Sequence, residues 1–377
     1  MFILLIFLSI FNTVFAWSPE LIKQWEQTTY SHKIFIDSPV FATFWGGLRR
    51  GVHWDHPKGK MVSIHPHGFS KNISVYIQSN KKKRDLVVFY PGVFGQPDHG
   101  IAPHVIDELE KKNVHVVVIP NFLAAPYLIA RPAGTGKPLE EEKINQRLIF
   151  SEVIKTIEIK NIRNIHIMGE SLGSFQALNV MSSQHRRMIH KLTLLWPPLD
   201  LKSAIERFDT IILKSLPKFE SCTYWWRWPW ALKEVKLNNV PEGLSQSDKD
   251  CLGPWIIASI FVNSIKETTK EVMKEKSLSL HTIPNTFTQF IQVIVPEISA
   301  ILAKRDKNLS LETLLKSVIT HDLKVNILSS SDDFLNQEKE WDELKKHYPQ
   351  LDSSIYLFRW GGHSGPMGLQ GLIESLL

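Results

Sequence analysis

At 377 residues, with 43% hydrophobic and 22% charged residues, the chain has an ordinary globular makeup and enough length to bury a large core. A largely disordered chain is excluded. The net charge is +6 and the pI about 9.1, but the basic residues are dispersed. The one basic run, Lys81-Lys82-Lys83-Arg84, falls between two predicted strands and reads as a solvated turn, so nucleic acid is not an expected partner.

Met1 to Ala16 is an apolar run too short to span a bilayer. It reads as a secretory signal peptide over residues 1–16, although its start carries no Lys or Arg. Secretion or export to a periplasm is expected, with an uncleaved membrane anchor as the alternative. Residues 17–54 are aromatic-rich and read as an N-terminal helix and a packing arm. Met61 to His65 and Asn72 to Gln78 are short β-rich runs about the turn His65-Pro66-His67-Gly68, the pattern of a hairpin. His65 and His67 lack further ligands at metal-binding spacing, and no metal is expected.

Leu86 to Tyr90 is a continuous apolar strand that runs into Pro91-Gly92-Val93-Phe94-Gly95. A helix follows near 102–112, then a buried strand over 114–119. After a long loop through Pro138 comes a helix over 140–159. The next apolar strand, Asn164 to Met168, leads into Gly169-Glu170-Ser171-Leu172-Gly173 and then a helix. Lys191 to Trp196 is one more strand, stopped by Pro197-Pro198. Alternating buried strands and helices predict a parallel sheet covered on both faces.

Residues 199–320 break the alternation. They are mostly helical and contain five aromatic residues within Tyr224-Trp225-Trp226-Arg227-Trp228-Pro229-Trp230. The two cysteines, Cys222 and Cys251, fall here; one disulfide is expected, with two buried thiols as the alternative. The α/β pattern then resumes over 321–377. The strand Lys324 to Leu328 precedes Ser329-Ser330-Ser331-Asp332-Asp333, and the last strand, Ser354 to Phe358, precedes Gly361-Gly362-His363-Ser364-Gly365.

Gly-x-Ser-x-Gly between a strand and a helix is the setting of a nucleophile elbow. Serine is a poor nucleophile without a base and a group that orients the base. An acid after a later strand and a histidine after the last one complete such a set. On these residues the chain resembles the α/β-hydrolase superfamily over 61–198 and 323–377. The resemblance implies an α/β fold with a mostly parallel eight-stranded sheet, helices on both faces and a helical cap over 199–320.

It also implies Ser171 as nucleophile, His363 as base and an aspartate as orienting acid. In relatives the acid follows, by three residues, the small residue that closes its strand. Counting from Ser329 gives Asp332, with Asp333 facing away to cap the next helix. The oxyanion hole is expected at the N–H groups of Leu172 and Val93, although many relatives have His-Gly where this chain has Pro-Gly. Gly92 is expected to leave room for the substrate carbonyl. Trp225, Trp226, Trp228 and Trp230 are expected to line an acyl pocket, ordinary packing being the alternative.

The expected activity is cofactor-free ester hydrolysis through an acyl-enzyme, on a small-molecule ester or lipid-like substrate, with membrane-surface contact through the aromatic cap. A thioesterase or peptidase on the same fold, or a non-catalytic binding protein docking through its tryptophans, are the alternatives.

Overall fold

The computed structural model describes residues 20, 23–25, 43, 58–132, 138–215, 246–279, 282–304, 309–319, 322–368 and 371–377. The predicted signal peptide, Cys222 and the tryptophans at 225, 226, 228 and 230 lie outside them.

The predicted hairpin is β1 (Lys60–Ile64) and β2 (Ile73–Gln78), paired antiparallel. His65 bonds Asn72 across its turn, with 2.9 Å between Nδ1 and Oδ1. The apolar runs then form β3 (Arg84–Tyr90), β4 (His115–Val118), β5 (Ile162–Glu170), β6 (Ile189–Leu195), β7 (Lys324–Ser330) and β8 (Ile355–Phe358). Between them lie α1 (Ala102–Glu110), α2 (Ala125–Ala130), α3 (Pro138–Ile157) and α4 (Gly173–Val180). The loop predicted through Pro138 thus holds a short helix, α2, which starts at Ala125-Pro126. Proline suits a first helical turn because its missing N–H is not needed there.

The sheet order is β1-β2-β4-β3-β5-β6-β7-β8. β2 alone runs against the direction of the other seven strands. The central strands bury nearly every residue, which explains why they read as unbroken apolar runs. From β3 the chain moves outward to β4, then crosses back to β5 on β3's other side. The turns leaving β3 and β5 therefore diverge at a topological switch point, where open α/β sheets place their ligands.

Between β6 and β7 lie α5 (Leu201–Ser215), α6 (Gln246–Glu275), α7 (Phe287–Ile294), α8 (Pro296–Ala303) and α9 (Leu311–Val318). They pack through an apolar seam: Phe208 of α5 meets Phe261 of α6 at 4.3 Å between ring centres. The buried Asp209 carboxylate accepts hydrogen bonds from Phe287 N–H (2.7 Å) and Thr288 N–H (2.9 Å), meeting the free donors and positive dipole end of α7. Arg207 joins this layer to the sheet by donating to Leu335 O (2.5 Å) and to both oxygens of Glu340 (2.7 and 2.9 Å). Glu340 lies on α10 (Glu338–His347), and α11 (Leu372–Ser375) closes the described chain. Among the described residues no helix is long and apolar enough to cross a membrane.

Candidate active site

Only Ser171 and Leu172 separate the end of β5 from the start of α4. The turn is so tight that Ser171 adopts φ +51°, a left-handed conformation that costs a non-glycine residue energy. Its N–H donates to Leu195 O at 2.7 Å and Ser174 N–H donates to Ser171 O at 3.0 Å, which hold the strained residue in place. Both flanking glycines are steric necessities. A Cβ on Gly169 would lie 2.6 Å from Gly173 O, and one on Gly173 would lie 2.1 Å from Tyr90 O.

The turn projects Ser171 Oγ toward the loop after β8, 2.8 Å from His363 Nε2. The other ring nitrogen, Nδ1, lies 3.0 and 3.2 Å from the two carboxylate oxygens of Asp333. A carboxylate can only accept, so Nδ1 carries a proton and Nε2 is free to receive one from the serine. The strand order together with this elbow decides the architecture. The chain has the α/β-hydrolase fold.

No protein-family model matches the chain, and no curated protein does. Solved structures similar to it include an esterase of Pyrococcus furiosus, Pf2001, with 13% identity, a TM-score of 0.48, and coverage of 84% of this chain and 89% of that one. The complex of DcsB with its substrate analogue has 14% identity, a TM-score of 0.47 and coverage of 84% and 95%. A thermophilic esterase from Thermogutta terrifontis has 13% identity, a TM-score of 0.41 and coverage of 84% and 96%.

The histidine's partner is a correction. Counting from Ser329 assigned the acid to Asp332, but β7 runs on to Ser330, and three residues beyond Ser330 is Asp333. Asp333 is buried, and it also accepts from Leu335 N–H (2.9 Å) and Asn336 Nδ2 (3.0 Å), which fix its carboxylate. Asp332 turns the other way. Its two oxygens accept from Gly362 N–H (2.9 Å) and Gly361 N–H (3.2 Å), so it holds the loop that carries His363 rather than the imidazole itself. Burial pushes the Asp332 carboxyl up to about 6, against the opposing pull of those two N–H bonds.

The turn after β3 supplies the facing wall. Gly95 N–H donates to Gly92 O at 2.9 Å, and Phe94 adopts φ +59° within the turn. Val93 and Leu172 both line the cavity beside Ser171, and among the described residues neither N–H meets an acceptor. Gly92 lines it too. A Cβ there would lie 2.5 Å from Glu170 Oε2 and 3.2 Å from Ser171 Cβ, so the crowding comes from the protein itself. Gly92 N–H donates to Glu170 Oε2 at 2.6 Å and is thereby occupied.

The cavity is about 450 Å³. Ser171 and His363 lie on its polar side, while Phe94, Ile205, Phe208, Ile257, Phe261 and Phe287 make an apolar wall. The tryptophans expected to form this wall lie outside the described residues. Leu201–Ser215 and Gln246–Glu275 have only ordinary helical periodicity, which gave no sign that residues of both line one cavity.

Sequence reasoning also missed Thr43, whose Oγ1 accepts from His363 N–H at 2.8 Å across 320 positions of chain. A further omission is the buried set that braces the turn after β3. There Asn121 Nδ2 donates to Pro91 O and to Gln176 Oε1, each at 3.0 Å. Nothing local marks such long-range polar pairs.

Proposed function

We propose that the protein is a serine hydrolase that cleaves carboxylic esters through an acyl-enzyme. The observation that carries this reading is the imidazole of His363 standing 2.8 Å from Ser171 Oγ and 3.0 Å from the Asp333 carboxylate. Ser171 Oγ attacks the ester carbonyl carbon as His363 Nε2 takes its proton. Asp333, buried and fixed by its own donors, stabilises the imidazolium that forms.

The carbonyl oxygen gains charge and is held by Val93 N–H and Leu172 N–H, the latter at the positive end of α4. Collapse breaks the bond to the alcohol, which leaves with the proton from His363. Water, deprotonated by the same imidazole, then attacks the acyl-serine and releases the acid, restoring Ser171. The apolar wall favours an uncharged acyl chain over a polar one, because burying it removes apolar surface from water without stranding a polar group.

We also propose that the protein acts outside the cytosol. Cys251 is disulfide-bonded, and such bonds persist in oxidising compartments. Its expected partner, Cys222, lies outside the described residues.

A fluorophosphonate probe tests the reading. The wild-type protein should be labelled at Ser171 and Ser171→Ala should not, with p-nitrophenyl ester turnover lost in parallel. Ester turnover that survives in Ser171→Ala, or a wild type that resists the probe, refutes it. The second outcome would favour a binding protein on the same scaffold.

A further inference from the structure

We infer that Glu170 is a positioning residue that clamps the turn after β3 and the histidine loop to the nucleophile strand. This rests on the hydrolase reading above. Glu170 is the residue before Ser171, and its side chain is 7% exposed. A carboxylate so nearly removed from water is costly unless donors surround it. Here the donors come from two separate loops. Gly92 N–H, after β3, bonds Oε2 at 2.6 Å, and Ser364 Oγ, beside His363, bonds Oε1 at 3.0 Å.

Two features show that the surroundings are shaped around this carboxylate. A Cβ on residue 92 would lie 2.5 Å from Oε2, so with glycine at this position the carboxylate sits directly against the backbone of the turn. Ser364 is held at φ +65°, a conformation that a non-glycine residue keeps only when its neighbours impose it.

The geometric consequence falls on the reaction centre. By engaging Gly92 N–H, the carboxylate removes that group as an oxyanion donor and anchors the Pro91–Gly92 peptide, one unit before the peptide that carries Val93 N–H. Val93 N–H and Leu172 N–H, which meet no acceptor among the described residues, are left as the two backbone donors of residues that line the cavity. On the opposite side, the bond to Ser364 holds the residue next to His363. One side chain thus sets the spacing of base, nucleophile and oxyanion donors without touching the reacting atoms. Displacements on the order of 1 Å in such a set cost about 100-fold in rate.

Glu170→Ala and Glu170→Gln should be compared by kcat per active site, counted by fluorophosphonate titration. Glu170→Ala is expected to lose about 100-fold in kcat with KM within a few-fold of wild type. Glu170→Gln keeps a carbonyl oxygen for Gly92 N–H, and its amide can donate to Ser364 Oγ. It should therefore recover to within about tenfold of wild type.

A purely structural role would lower the melting temperature while leaving kcat per titrated site unchanged, and that result overturns the clamp. So does a Glu170→Gln variant as slow as Glu170→Ala. If Glu170→Ala does not fold, Ser364→Ala removes the Oγ donor to Glu170 and should lose about tenfold in kcat; wild-type kcat there overturns the proposal. A labelled wild type with unimpaired variants defeats the clamp alone, whereas a wild type that never labels defeats the hydrolase reading itself.

Discussion

The turns after β5 and after β7 each deliver one reactive group to the same edge of the sheet, but they are specified in different ways. The elbow is specified by contact between consecutive residues and their nearest strand. Backbone atoms of Gly173 and Tyr90 fill the space where a Cβ on either elbow glycine would go, and no other arrangement of the motif fits. The acid turn contains two adjacent aspartates of similar chemistry, and nothing in their side chains assigns their roles. One extra residue in the ladder of β7 decides that Asp333 meets the imidazole and Asp332 meets the backbone of residues 361 and 362. Steric specification is legible in a motif; register is not, because a shift of one residue turns every side chain to the opposite face.

The sharpest test of this contrast is to exchange the chemistry of the two aspartates. Asp333→Asn should lower kcat by about 10⁴-fold by spoiling the imidazole tautomer, while leaving the fold intact. Asp332→Asn keeps one acceptor oxygen for the loop and should stay within about tenfold of wild type. Steady-state kinetics per titrated site decide it, and the reverse ranking would return the orienting role to Asp332.

At the elbow the expected damage is to folding rather than to rate. Gly173→Ala forces a Cβ to 2.1 Å from the carbonyl oxygen of Tyr90, a backbone atom of a central strand that cannot move aside. Urea unfolding should show a loss of about 3 kcal/mol or more. A variant of near-native stability would mean that the elbow is looser than its contacts imply.

The cavity wall provides a third point of comparison, since under the proposed function its residues would meet the acyl chain without taking part in bond making. Phe208→Ala or Phe261→Ala should reduce kcat/KM for long-chain esters by about tenfold and leave acetyl esters almost unchanged, because only the longer chain reaches that wall. Equal losses on both esters would assign the pair to packing.

The smallest effect concerns pH and returns to the acid turn. The Asp332 carboxyl is raised to about 6 in the folded protein. The folded state therefore holds this proton more tightly than the unfolded chain does. The associated stability is fully present below about pH 4, where both states are protonated, and is lost as pH rises through about 6. Asp332→Asn cannot lose it. Relative to wild type, that variant should gain on the order of 1 kcal/mol between pH 4 and 7, allowing for solvent screening of a part-exposed group. Urea titrations at the two pH values measure it; a constant difference would show that the two glycine N–H bonds offset the cost of burial.

The sequence by itself determined the strands, the elbow and the loop that carries the histidine. Each depends on near neighbours: an apolar run long enough to be buried on both faces, glycines where backbones touch, and a strand end that exposes the next few residues. Tertiary structure alone decided the rest. The end of β7 chose between Asp332 and Asp333, because strand length is set by pairing with β6 and β8 and not by the residues of the turn. The partners of Glu170 lie 78 and 194 positions away, and Thr43 reaches His363 across 320. The apolar wall likewise comes from separate helices that meet only once the layer between β6 and β7 has packed. Such contacts leave no local pattern, since hydrogen bonding and burial depend on distance in space and not on distance along the chain.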